Sequence, residues 1–169
     1  MTTTVSYLLK SSTNQTLGAL KGILAKGEAY VGAIKCEEAA VLAQRLYPDM
    51  FALPRQVQIA CDTAARGAAR LAGLDMPSFP DTEQTFAELI ARCQKAIDYV
   101  NAIDDAKIDA TAKTVLQIPM GQATMPMTGE QYLQSFILTN LHFHAAMAYG
   151  LLRTQGVQIG KRDYLVPAK

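Results

Sequence analysis

Asn140 and His144 interrupt an otherwise apolar helical stripe in the last quarter of the chain. Leu133, Ile137, Asn140, His144, Ala148 and Leu151 recur every three or four residues, the spacing of one helix face. That face should turn toward a core. A buried amide and a buried imidazole each need hydrogen-bond partners, because an unsatisfied polar group costs about 1–3 kcal/mol. Two readings follow. The residues form a structural polar pair satisfied by a neighbouring helix, or they line a ligand or metal site. His142 points to the other side with Thr139 and Arg153, as a surface histidine. Two histidines at i and i+2 do not share a helix face, so His142 and His144 make a poor chelate.

A second set of polar residues lies near the middle of the chain. Gln58 sits at the flank of an apolar stripe made by Val57, Cys61, Ala64, Ala68 and Leu71, and could turn inward. Asp62 lies farther round, and a surface pair with Arg66, four residues on, accounts for it. Cys61 is on the stripe and reads as a small hydrophobe rather than a nucleophile. No Gly-rich phosphate loop, Ser nucleophile elbow or close carboxylate pair is visible. The charged tail Gly160-Lys161-Arg162-Asp163-Tyr164 either folds back to a bundle mouth or forms a solvated, packed extension, and the second is preferred.

The elements that would position these residues are mostly helices. Half of the 169 residues are hydrophobic and 18% are charged, a globular composition for one domain spanning 1–169. A first helix is expected from Ser6 to Ile34, with Leu17, Leu20, Leu24 and Val31 at helical spacing. The polar run Ser11 to Thr16 and four glycines weaken it. A short helix follows over Glu37 to Gln44. A second long helix should start near Pro54 and stop at Gly73. Asp81-x-x-Gln84 reads as a capping box for a third helix that ends near Ile103. Thr114 to Ile118 and Ala123 to Met127 flank Met120-Gly121 and read as a small hairpin. Thr128-x-x-Gln131 then caps a fourth helix that runs to Thr154. These elements give an all-α, up-down four-helix bundle with a small β-hairpin before the last helix.

Bulk composition narrows the function classes. The 16 basic and 15 acidic residues nearly cancel and form no stripe, so no nucleic-acid partner is expected. Met1 to Ser6 shows no basic segment followed by an apolar run, and no stretch is long enough to span a bilayer, so neither a secretory signal nor a membrane partner is expected. Cys36, Cys61 and Cys93 are odd in number and widely spaced, which reads as free thiols in a reducing cytoplasm.

Three stretches together resemble a bacterial family of unknown function. They are Tyr47-Pro48-Asp49-Met50-Phe51-x-Leu53 leading into Gln56-Val57-Gln58-x-Ala60-x-Asp62, then Asn140-x-x-x-His144, and the closing Gly156-Val157-x-Ile159-Gly160-Lys161-Arg162-Asp163-Tyr164-Leu165. The resemblance covers nearly the whole chain. The family is similar to the DinB/YfiT-like superfamily of four-helix bundles, many of which bind a divalent metal through three histidines. Some are thiol-dependent transferases, and many are homodimers. The resemblance sets the first histidine position on Gln58 and the final pair on Asn140 and His144, so only one histidine is retained. Amide oxygens are weak donors beside imidazole for zinc or nickel. The resemblance therefore implies the fold and the place of a pocket, with no metal and no cofactor expected.

Gln58, Asp62, Asn140 and His144 are the ligand-binding candidates, and Gln58, Asn140 and His144 are expected in one pocket. Three functional readings stand: a bundle that binds a small molecule in the old site or keeps it for structure, a divergent metal-dependent thiol transferase or hydrolase, and a dimeric interaction protein. A homodimer is implied by the resemblance, and Ile59, an apolar residue on a polar helix face, is compatible with one.

Overall fold

A computed structural model describes residues 4–166. Residues 1–3, part of the segment read above for a secretory signal, lie outside the described residues. Four long helices form the bundle: α1 (Val5–Ile34), α3 (Leu53–Leu71), α4 (Phe86–Ala102) and α7 (Leu138–Thr154). Short helices α2 (Glu38–Leu42), α5 (Asp105–Asp109), α6 (Gly129–Tyr132) and α8 (Lys161–Leu165) join or flank them. The expected hairpin is present as β1 (Val115–Met120) and β2 (Ala123–Thr128), paired antiparallel with Met120 opposite Ala123. Ile118 alone of β1 is fully buried and ties the hairpin to the core.

The expected polar interruption of α1 does not break it; the helix is continuous over 30 residues. Within that run Thr13 and Thr16 are buried alongside Leu9, Leu17 and Leu20, so their methyl groups join the apolar face. Gly27 is where α1 meets α4. A Cβ there would lie 2.9 Å from Phe86 Cε1, so the small residue permits the close approach. The alanines of α3 act similarly: Ala60, Ala64, Ala65, Ala68 and Ala69 are fully buried between α4 and α7.

One capping expectation is corrected. The third long helix is capped not by Asp81 and Gln84 but by Thr85, whose side chain accepts from the Glu88 N–H while Glu88 accepts from the Thr85 N–H. The Gln84 backbone N–H, then the N–H and hydroxyl of Thr85, hold the Glu88 carboxyl below the usual range. Asp81 is instead paired with Arg55 and Arg92. The Thr128–Gln131 box forms as expected. The tail packs as α8 against α1, with Lys26 donating to Asp163 at 2.7 Å.

Before α7 the helix does not run regularly. Leu133–Ile137 form a π turn, in which the Leu138 N–H reaches the Leu133 carbonyl five residues back. Such a turn leaves carbonyls short of in-helix donors, and side chains fill the gap. Thr139 Oγ1 donates to the Ser135 carbonyl and Asn140 Nδ2 to the Phe136 carbonyl, each at 2.8 Å.

Candidate functional site

His144 is buried where α7 crosses α3. Its Nδ1 lies 2.7 Å from Gln56 Oε1. Gln56 Nε2 in turn donates to the Phe51 carbonyl, which fixes the orientation of the amide. A carboxamide oxygen only accepts, so Nδ1 carries the proton and Nε2 presents the lone pair. Phe143 stands edge-on to the imidazole, with ring centroids 5.1 Å apart. Burial, then the nearby Arg55 cation, lowers the His144 pKa, so the ring is neutral at pH 7.

The structure separates the sequence-expected cluster. Gln58 lies two residues beyond Gln56 and bonds to partners other than His144. Its Nε2 donates to Glu83 at 3.0 Å and its Oε1 accepts from Arg55. It borders a shallow depression of about 440 Å³ beside Leu42, Pro54 and Arg55. Asn140 is half-buried, and its amide nitrogen is turned back onto its own helix at Phe136. Leu141 takes its place on the core stripe. Among the described residues no hydrogen bond joins Gln58, Asn140 and His144 to one another; each bonds to another partner. The polar partner that sequence reasoning missed is Gln56, which has the same amide as Gln58 one position to either side of Val57. His142 is exposed, as expected, within 3.4 Å of the Thr16 hydroxyl.

Asp62 also departs from expectation. It pairs not with Arg66 but with Arg92 of α4, at 2.7 Å. The Arg92 side chain is 2% exposed and gathers Asp62, Asp81, Glu83 and the Pro80 carbonyl, with Phe79 beneath its guanidinium. Burial alone would lower the Arg92 pKa; the bonds to Glu83 and Asp62 outweigh it and push it up. Cys61 and Cys93 are free, buried thiols 3.7 Å apart. Burial, then the Cys93 contact, raises the Cys61 thiol well above its ordinary value, which leaves it a poor nucleophile.

These arrangements decide how well the residues suit a metal. Among the described residues no group of three or more His, Cys, Asp or Glu is placed to hold one. His144 offers only Nε2, the Gln58 oxygen accepts from Arg55, Asn140 could offer only a weakly donating amide oxygen, and Asp62 is tied to a buried guanidinium. The donor set does not fit the three-histidine site of the superfamily that the chain resembles.

Comparison with known proteins places the chain. No curated protein matches it. It is similar to a DinB family member protein from Shewanella denitrificans, whose crystal structure superposes with a TM-score of 0.85 at 38% identity. The match covers 95% of this chain and 92% of that one. Residues 8–165 match the family described as a domain of unknown function, DUF1993. The bundle, the hairpin before α7 and these two matches together show that the chain belongs to the DUF1993 family, with a DinB-like fold.

Proposed function

We propose that the chain is a small-molecule-binding bundle whose inherited metal position has become a hydrogen-bonded pair. The carrying observation is the 2.7 Å contact between His144 Nδ1 and Gln56 Oε1. A ligating histidine in a metal site directs one nitrogen at the ion and the other at an acceptor that orients it. Here the orienting bond is kept, while the positions that would complete the coordination are amides turned to other partners. What remains is a neutral imidazole with one acceptor lone pair between Arg55 and Phe143, suited to receive an N–H or O–H of a bound molecule. The near-balance of charge supports a partner other than nucleic acid, and the unlinked Cys61 and Cys93 thiols support a reducing compartment such as the cytoplasm.

Elemental analysis of protein made without a histidine tag tests this reading. After incubation with excess zinc, nickel or manganese and desalting, no stoichiometric metal is expected. A full equivalent of metal that disappears in His144→Ala would overturn the proposal and establish the alternative, a divergent metal-dependent thiol transferase or hydrolase.

A further inference from the structure

The outer face of α3 carries a second site. A groove of about 360 Å³ runs between α3, Pro119 on the hairpin and the segment from Tyr132 to Phe136. That is the lower range of volumes that hold small ligands. Arg66 and Arg70 lie one helical turn apart along it. Asp62, the carboxylate one turn before Arg66, is taken by Arg92, and among the described residues neither Arg66 nor Arg70 has a carboxylate within 4.0 Å. Two like charges one turn apart repel, and the carboxylate that lines the groove, Asp62, is paired with Arg92 rather than with either of them.

Two further observations give the groove a shape. Arg70 is held in place: Nη1 donates to the Tyr132 hydroxyl at 3.2 Å, and the guanidinium lies 5.8 Å from the centre of that ring. Tyr132 and Phe136 stack with centroids 5.4 Å apart and form one aromatic wall. Phe136 belongs to the π turn, and π turns occur frequently at functional sites.

We infer that this groove binds an organic oxyanion, a carboxylate or phosphate group carried on a planar apolar body. The anion sits on Arg66 and Arg70, whose forked N–H groups match the two oxygens of either head group. The body lies along Tyr132 and Phe136. The inference rests on reading the chain as a binding bundle and names the ligand class at a place separate from His144.

Calorimetric titration of EDTA-treated protein tests it, with benzoate, phenyl phosphate, inorganic phosphate and benzyl alcohol as probes. Benzoate and phenyl phosphate should bind. Benzyl alcohol, and each anion against Arg66→Gln or Arg70→Gln, should bind about tenfold more weakly, the loss of one charge-assisted contact. Binding should weaken with added salt. Lys161→Gln, a charge removed from the opposite end of the chain, should leave the affinities unchanged. Benzyl alcohol binding as well as benzoate, an Arg66→Gln variant with unaltered affinity, an equal loss in Lys161→Gln, or no heat from any anion would each overturn the inference. Inorganic phosphate binding as tightly as phenyl phosphate would overturn the role of the aromatic wall. Since the protein is metal-free in these titrations, their failure removes the groove alone, whereas metal uptake at His144 removes the broader reading.

Discussion

His144 and Gln56 form a pair in which each side chain answers the other's need. Replacing His144 with Ala leaves the Gln56 oxygen buried without a donor, at a cost of about 1–3 kcal/mol in urea unfolding at pH 7.5. The same bond carries a pH signature. Burial and Arg55 hold the folded-state pKa of His144 down, so the unfolded chain takes up the proton first as pH falls through about 6.5. Stability present above that pH should be lost progressively as pH falls below it, and His144→Gln, which cannot titrate, should show a shallower loss. Equal pH slopes in the two proteins would refute a neutral, buried imidazole. The sequence made His144 legible as a buried polar residue, because its apolar neighbours on the stripe left it no other place. Its partner was not legible. Gln56 and Gln58 flank the same apolar residue of α3, and only the crossing of α7 decides which one meets the imidazole.

The π turn is the element that separates expectation from structure. A regular helix counted through Leu133 and Ile137 sets Asn140 on the core face; the structure sets Leu141 there and turns the Asn140 amide onto the Phe136 carbonyl. Periodicity alone carries no sign of such a turn. Gly67 shows how tightly it is docked: a Cβ on Gly67 would lie 2.7 Å from Ile137 Cδ1 and 2.8 Å from Cγ1. Gly32 of α1 has nothing within 4 Å. Alanine should therefore stabilise the protein by about 0.5–1 kcal/mol at Gly32, through helix propensity. At Gly67 the same gain is opposed, and the two variants should differ by about 1–3 kcal/mol in unfolding free energy, the cost of overpacking. Matching stabilities would mean that Ile137 moves aside freely. The long helices and the hairpin were plain from sequence, since the helix periods and the hairpin's glycine turn act locally; the short helices α5 and α8 were not, because five residues carry too little periodicity. The cap of α4 was not, because Asp81-x-x-Gln84 and Thr85-x-x-Glu88 satisfy the same pattern. Arg92, distant in sequence, draws Asp81 away.

At the scale of the whole molecule, the bundle leaves aromatic surface around the His144 site. Phe143 is 53% exposed and Phe51 50%. Phe143 abuts His144, and the Phe51 carbonyl accepts from the Gln56 amide that bonds His144, so the two rings border one region of the surface. The family resemblance implies a homodimer, and we propose that it closes over this region. Light scattering should return the mass of two chains, and Phe143→Glu should return one; a single-chain mass for the unaltered protein would remove the claim. None of the helices formed by the described residues is long and apolar enough to cross a membrane.

Of the three connections between successive long helices, residues 72–85 form the one with no helix or strand of its own. In most helical proteins such a segment is where a protease finds extended, yielding chain. Here Arg92 grips it from beneath through Asp81, Glu83 and the Pro80 carbonyl, with Phe79 laid across the guanidinium. A protease must draw a stretch of chain into its cleft before it can cut. To do so here it would first have to pull two carboxylates off a buried cation. The clasp that costs the sequence a buried charge should thus slow digestion at residues 79–83 and leave any cutting to the exposed residues 73–76.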